Sequence, residues 1–92
     1  MARRQRGQWM NSATDPVLEF LEDHEIAVPI GVLDNELSPS YQTINDALEE
    51  LEKRGFVRRD ENYSSHFRIA DRGRAYLAGE LKADDIKKQS EN

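Results

Sequence analysis

Cysteine is absent from this 92-residue chain, which excludes a disulfide framework, a thiol nucleophile and a thiolate metal site. Histidine occurs only at His24 and His66, far apart and with no paired acid at ligand spacing, so neither a metal nor another cofactor is expected. No run approaches the roughly 20 apolar residues of a membrane span, and the basic N-terminus lacks the apolar stretch of a signal peptide. A cytoplasmic protein with no membrane contact is the expectation. There is no phosphate-cradling glycine loop or nucleophile motif, and a chain this short has no room for a second core beside a catalytic cleft. An enzyme is not expected, and no small-molecule ligand is evident.

The most informative gap is in positive charge. No Lys or Arg occurs between Arg6 and Lys53, while that interval holds eleven acids, from Asp15 to Glu52. Cations are confined to Arg3, Arg4 and Arg6, to the stretch from Lys53 to Arg74, and to Lys82, Lys87 and Lys88. The net charge of −5 argues against unspecific attraction to a polyanion. Arginine outnumbers lysine and acids outnumber bases, a balance also met in proteins adapted to high internal salt, although an ordinary acidic surface reads the same way.

Apolar periodicity supplies the architecture. Thr14 or Asp15 is placed to cap a first helix over about 15–24, with Pro16 at its first position and Val17, Leu18 and Leu21 on one stripe. The segment EIAV reads as a brief strand or a connector, after which Pro29 opens a short second helix carrying Ile30, Leu33 and Leu37. Pro39 breaks the chain, and Ser40 caps a third helix whose stripe is Ile44, Ala47, Leu48 and Leu51 and whose stop is Gly55. FVRRD and HFRIA form a hairpin with Phe67 and Ile69 inward. Asp71 is expected to cap a fourth helix, whose early Arg72 and Arg74 oppose the helix dipole and call for an acidic partner such as Glu80. The expected limits are a flexible basic arm over 1–8, one domain over 9–82 and a frayed tail over 83–92.

This order resembles the winged helix-turn-helix domain: an α+β fold with a three-helix core, a two- to three-stranded antiparallel wing hairpin and a C-terminal fourth helix. In detail, Trp9-Met10, LEFLED, TINDALEELEKRGFV and IADRGRAYLAGEL resemble haloarchaeal phage-repressor-like regulators. The resemblance implies a sequence-specific, repressor-like regulator that binds double-stranded DNA, often as a dimer. Helix 40–54 would enter the major groove and the wing, residues 58–68, would lie on the backbone. Dimerisation would use the C-terminal helix, with Trp9, Tyr76, Leu77 and Leu81.

On such a third helix the face opposite Ile44 carries Gln42, Asp46, Glu49 and Lys53, with Asn45 on one flank. Gln42 and Asn45 suit adenine, and Asp46 suits a cytosine amine, so these three with Tyr41 are the base-contact candidates. None of them neutralises a phosphate. Backbone contact falls to the hydroxyls of Ser38, Ser40 and Thr43, to helix-opening amides, to Arg58, Arg59 and Arg68 of the wing, and to Arg3, Arg4 and Arg6 of the arm. The competing expectation is that the wing arginines pair with Asp60, Glu61 and nearby acids. The chain would then be a protein-interaction module with an acidic docking face and little DNA affinity.

Overall fold

The computed structural model describes residues 4–24 and 26–85. Its elements, in chain order, are α1 (Thr14–Glu22), β1 (Val28–Pro29), α2 (Ile30–Glu36), α3 (Tyr41–Lys53), β2 (Val57–Arg59), β3 (His66–Ile69) and α4 (Asp71–Leu77), followed by a 3-10 turn, Ala83–Asp85. The strands form one antiparallel sheet in the order β1-β3-β2, with Val28 opposite Phe67 and Val57 opposite Ile69. Four helices and a three-stranded sheet in this sequence give the α+β winged helix-turn-helix architecture.

One core holds the layers together. Val17, Leu18 and Leu21 of α1 meet Ile44, Leu48 and Leu51 of α3 and the inward side chains of the sheet, all buried. Both turns that leave a helix tightly use a glycine with positive φ. Gly55 (φ 78°) ends α3, its N–H donating to the Glu52 carbonyl while the Phe56 N–H donates to that of Leu51. Gly79 (φ 79°) ends α4 through the same pair of bonds, to Tyr76 and Ala75. Gly73 answers a different need, because a β-carbon there would lie 2.5 Å from the Phe56 carbonyl oxygen and 2.7 Å from Ile69 Cγ1.

Several local expectations are corrected. Neither Thr14 nor Asp15 caps α1. Instead Asn11 leads the chain in: its side-chain oxygen accepts from the Ala13 N–H (2.8 Å), its own N–H donates to Thr14 Oγ1 (3.0 Å), and its amide donates to the Thr43 carbonyl of α3 (3.0 Å). Pro16 is therefore the third helical residue, still within the turn that has no use for its missing N–H. The helix stops at Glu22, short of 24, where the His24 ring stacks on Phe20 with centroids 4.1 Å apart. Pro29 precedes α2 and Asp71 begins α4 without capping it. Arg74 pairs with Asp71 (3.4 Å), and Arg72 donates to the Arg54 carbonyl (3.0 Å), so Glu80 serves neither.

The ends of the described chain are also more tightly packed than composition implied. Gln5 and Lys82 form a parallel bridge, the Ala83 N–H donates to the Gln5 carbonyl (2.9 Å), and Trp9 Nε1 donates to that of Ala83 (3.3 Å). Ala83 is wholly buried, so the packed body extends past residue 82. From Arg4 onward the segment expected to be a free arm is docked. Tyr76 is also wholly buried, and Trp9 packs edge-on against Phe56, which spends two of the four residues assigned to a dimer contact.

Candidate nucleic-acid interface

Ser40 fixes the start of α3, its Oγ accepting from the Thr43 N–H at 3.2 Å and lying 2.9 Å from the Thr43 hydroxyl. The remaining amides of that first turn keep their donors free of helical partners. With Ile44, Ala47, Leu48 and Leu51 inward, the exposed strip is Gln42, Asp46, Glu49 and Lys53, with Asn45 half-buried beside it. Gln42 Nε2 donates to the Asp46 carboxylate at 2.8 Å, so one potential base reader is held by the other. Lys53 is spanned by Glu49 (3.6 Å) and Glu50 (3.9 Å). Tyr41, 52% exposed, stands at the mouth of the helix beside Ser38 and Ser40, which are also exposed. The four base-contact candidates thus share one surface.

The hairpin borders this strip on the Asn45 flank. Stepping about 100° per residue places Glu52 on the same side of α3 as Asn45, and there the Glu52 carboxylate accepts from Arg59 Nε at 2.9 Å. Arg59 also donates to the Ser64 carbonyl (2.8 Å) and lies over the Phe67 ring, 4.8 Å from its centroid. Arg58 and Arg68 are placed differently. They face each other in register across β2 and β3, on the side of the sheet turned away from buried Val57, Phe67 and Ile69. The three wing arginines therefore do not act from one surface.

Asp60 organises the loop beyond. One carboxylate oxygen accepts the amides of Asn62 (3.0 Å) and Tyr63 (3.2 Å), and the other pairs with Arg68 (3.3 Å). At the tip Tyr63 is 63% exposed, its ring 5.2 Å from that of His66. Sequence reasoning passed over Tyr63, although an aromatic inside the polar loop ENYSS is the signal that marks it.

The opposite flank of α3 is approached through Asn11 by the N-terminal segment. Arg6 donates to the Asn11 carbonyl (2.9 Å) and lies 3.8 Å from Asp15. Arg4 pairs with Glu19 and lies 3.7 Å from Asp15, and the Glu19 hydrogen bond raises its pKa above the usual arginine value. Asp15 also accepts from the Tyr76 hydroxyl at 2.8 Å. Burial first, and that hydrogen bond second, push Tyr76 well above the ordinary tyrosine range. Arg3 lies outside the described residues.

The chain thus runs helix, tight turn, exposed helix and hairpin, followed by a fourth helix packed against α1. The winged helix-turn-helix phage repressor family model matches residues 1–89. The chain belongs to this family. Its fold is similar to the crystal structure of the PhiH1 repressor-like protein from Haloarcula marismortui, at 27% identity and a TM-score of 0.80, covering 96% of this chain and 99% of that one. No match is found among curated proteins. As a phage-repressor winged helix, the chain uses α2 and α3 as its helix-turn-helix and the β2–β3 hairpin as its wing. No helix among the described residues is long and apolar enough to cross a membrane.

Proposed function

We propose that this protein is a sequence-specific, repressor-like regulator of transcription that reads duplex DNA in the cytoplasm with α3 in the major groove. The observation that carries the reading is the amide pair of exposed Gln42 and half-buried Asn45, on a capped helix in a phage-repressor fold, with a guanidinium on each flank. Arg59 stands on the wing side and Arg6 on the arm side. Tyr41, Gln42, Asn45 and Asp46 meet base edges, while Ser38, Ser40, Thr43 and the first-turn amides meet phosphate oxygens without charge. Arg59 gives up its exposed pair with Glu52 for a phosphate, an exchange that costs little because such pairs contribute about 0–1 kcal/mol, and Arg4 and Arg6 offer a phosphate the donors they now turn to Glu19 and half-buried Asp15. A homodimer over two half-sites would meet through half-buried Leu77, which ends α4, and Leu81, just beyond the Gly79 turn.

A second reading has its own support. Arg4, Arg6, Arg59 and Arg68 all lie within 4 Å of acids, while Asp46 and Glu49 stand in the reading face. That arrangement fits a protein-interaction module whose acidic α1–α3 surface docks a basic partner. A salt titration of binding to random and genomic duplex separates the two. The regulator loses affinity with a log–log slope of about 0.9 per phosphate neutralised and prefers some genomic fragments. The absence of duplex binding at low salt would establish the module instead.

A further inference from the structure

The residue that leads the chain into α1 also reaches the reading helix. Asn11 Nδ2 donates to the Thr43 carbonyl at 3.0 Å, and among the described residues no other side chain outside α3 and its cap hydrogen-bonds the first turn of that helix. Thr43 lies next to Gln42 and two residues before Asn45. Its carbonyl has two lone pairs, of which the helix uses one for the amide four residues on, so the second is open to Asn11. What otherwise holds this end of α3 is the inward packing of Ile44, Ala47 and Leu48. Apolar burial is non-directional, whereas a hydrogen bond fixes a distance and an angle. Asn11 is itself firmly seated: its Oδ1 accepts the Ala13 N–H at 2.8 Å, its own N–H donates to the hydroxyl of buried Thr14 at 3.0 Å, and its carbonyl accepts from Arg6 at 2.9 Å. A lead-in to α1 needs only the acceptor, which Ser, Thr or Asp supplies as well. The donor turned to α3 is what asparagine adds.

We propose that Asn11 is a positioning residue for base recognition, one that sets where Gln42 and Asn45 stand while touching no DNA itself. A binding constellation has to be held within about 0.5 Å of its productive geometry, and apolar burial changes little over a shift of that size. The bond from Asn11 to Thr43 removes that freedom from the turn that carries Gln42. Arg6 ties the same setting to the N-terminal segment, because the guanidinium that offers a phosphate its donors also holds the Asn11 carbonyl. The inference rests on the proposed function in taking α3 as the reading helix.

The test uses the full chain with Asn11→Ser, which keeps an acceptor for the Ala13 N–H but is too short to reach Thr43, and with Asn11→Asp, which keeps length and acceptor but has no donor. Fluorescence anisotropy gives the affinity of each for a random duplex and for the duplex that the wild type enriches from a random library, and amide hydrogen exchange reads α3 residue by residue. Asn11→Ser should keep the random-duplex affinity and its salt slope while the preferred-to-random ratio falls about three- to tenfold. Exchange should quicken from Ile44 to Ala47 and stay slow at Leu48 and Leu51. Asn11→Asp should lower the ratio by as much, its added charge weakening both duplexes alike. If the wild type prefers a sequence and both variants keep that preference, this inference falls alone. Faster exchange throughout the fold with a lower melting temperature, and no change in the ratio, makes Asn11 a lead-in to α1 and also overturns it. A wild type without sequence preference, or without duplex binding, overturns the base-reading proposal; exchange that quickens only at the start of α3 then still supports Asn11 as the residue that sets that turn, and unchanged exchange overturns it.

Discussion

Arg59 of the wing and Glu52 of α3 meet at 2.9 Å, a direct ionic link between the hairpin and the helix it flanks. Both side chains remain partly exposed, so the link contributes about 0–1 kcal/mol to folding, and its larger effect is on where the guanidinium points. Glu52→Gln should release Arg59 toward a phosphate, tightening duplex binding up to about fivefold at low salt with a small change in stability. Arg59→Ala should weaken binding and lower the salt slope by about 0.9. Anisotropy titrations at several salt concentrations measure both, and equal affinities for the two variants would remove Arg59 from the interface.

Asp46 holds Gln42 at 2.8 Å and adds a negative charge to the reading face. Asp46→Arg should raise affinity for any duplex about tenfold and steepen the salt dependence by about 0.9, at the expense of discrimination between sequences. Selection from a random duplex library before and after the change reads out the altered preference.

Gly73 is buried in α4 with the Phe56 carbonyl and Ile69 in the place a β-carbon would take. Gly73→Ala should therefore destabilise the fold by about 1–3 kcal/mol, although alanine is the better helix former. Thermal unfolding followed by circular dichroism should show a drop of roughly 4–8 °C per kcal/mol for a domain of this size. An unchanged or higher midpoint would mean that α4 moves away without cost.

Tyr76 donates its buried hydroxyl to Asp15, and both burial and that bond favour the neutral phenol in the folded state. Its folded pKa lies above the unfolded value of about 10, so this stabilisation is complete below about pH 10 and declines as the pH rises further. Tyr76→Phe should unfold at a midpoint that falls less steeply between about pH 10 and 11 than the wild type. Parallel slopes would show that the hydroxyl is not coupled to folding.

Legibility from sequence followed the distance over which each feature is determined. α3 was readable because its cap Ser40, its apolar stripe and its terminating Gly55 all lie within one stretch, and each signal agrees with the others. The start of α1 was not, because Asn11 is positioned by a bond to Thr43, thirty-two residues away. The docking of Arg4 and Arg6 depends on Asp15 and Glu19, and on a bridge to Lys82 that no local pattern announces. The base-contact candidates do converge on one surface. The wing arginines separate, and here the information was present: Val57 and Ile69 point inward, so alternation assigns Arg58 and Arg68 to the other side. Arg59, opposite Phe67, falls on the other side of that pleat from Arg58 and Arg68.

The Gln5–Lys82 bridge sets an order of events. Its two halves are separated by nearly the whole polypeptide, so closing it requires the largest loop available to the described residues. Until Lys82 and Ala83 are in place, Trp9 lacks the carbonyl that receives its indole N–H. The segment around Trp9 thus docks on residues far along the chain, and a chain truncated before residue 82 would leave Trp9 more accessible to fluorescence quenchers than it is in the full chain.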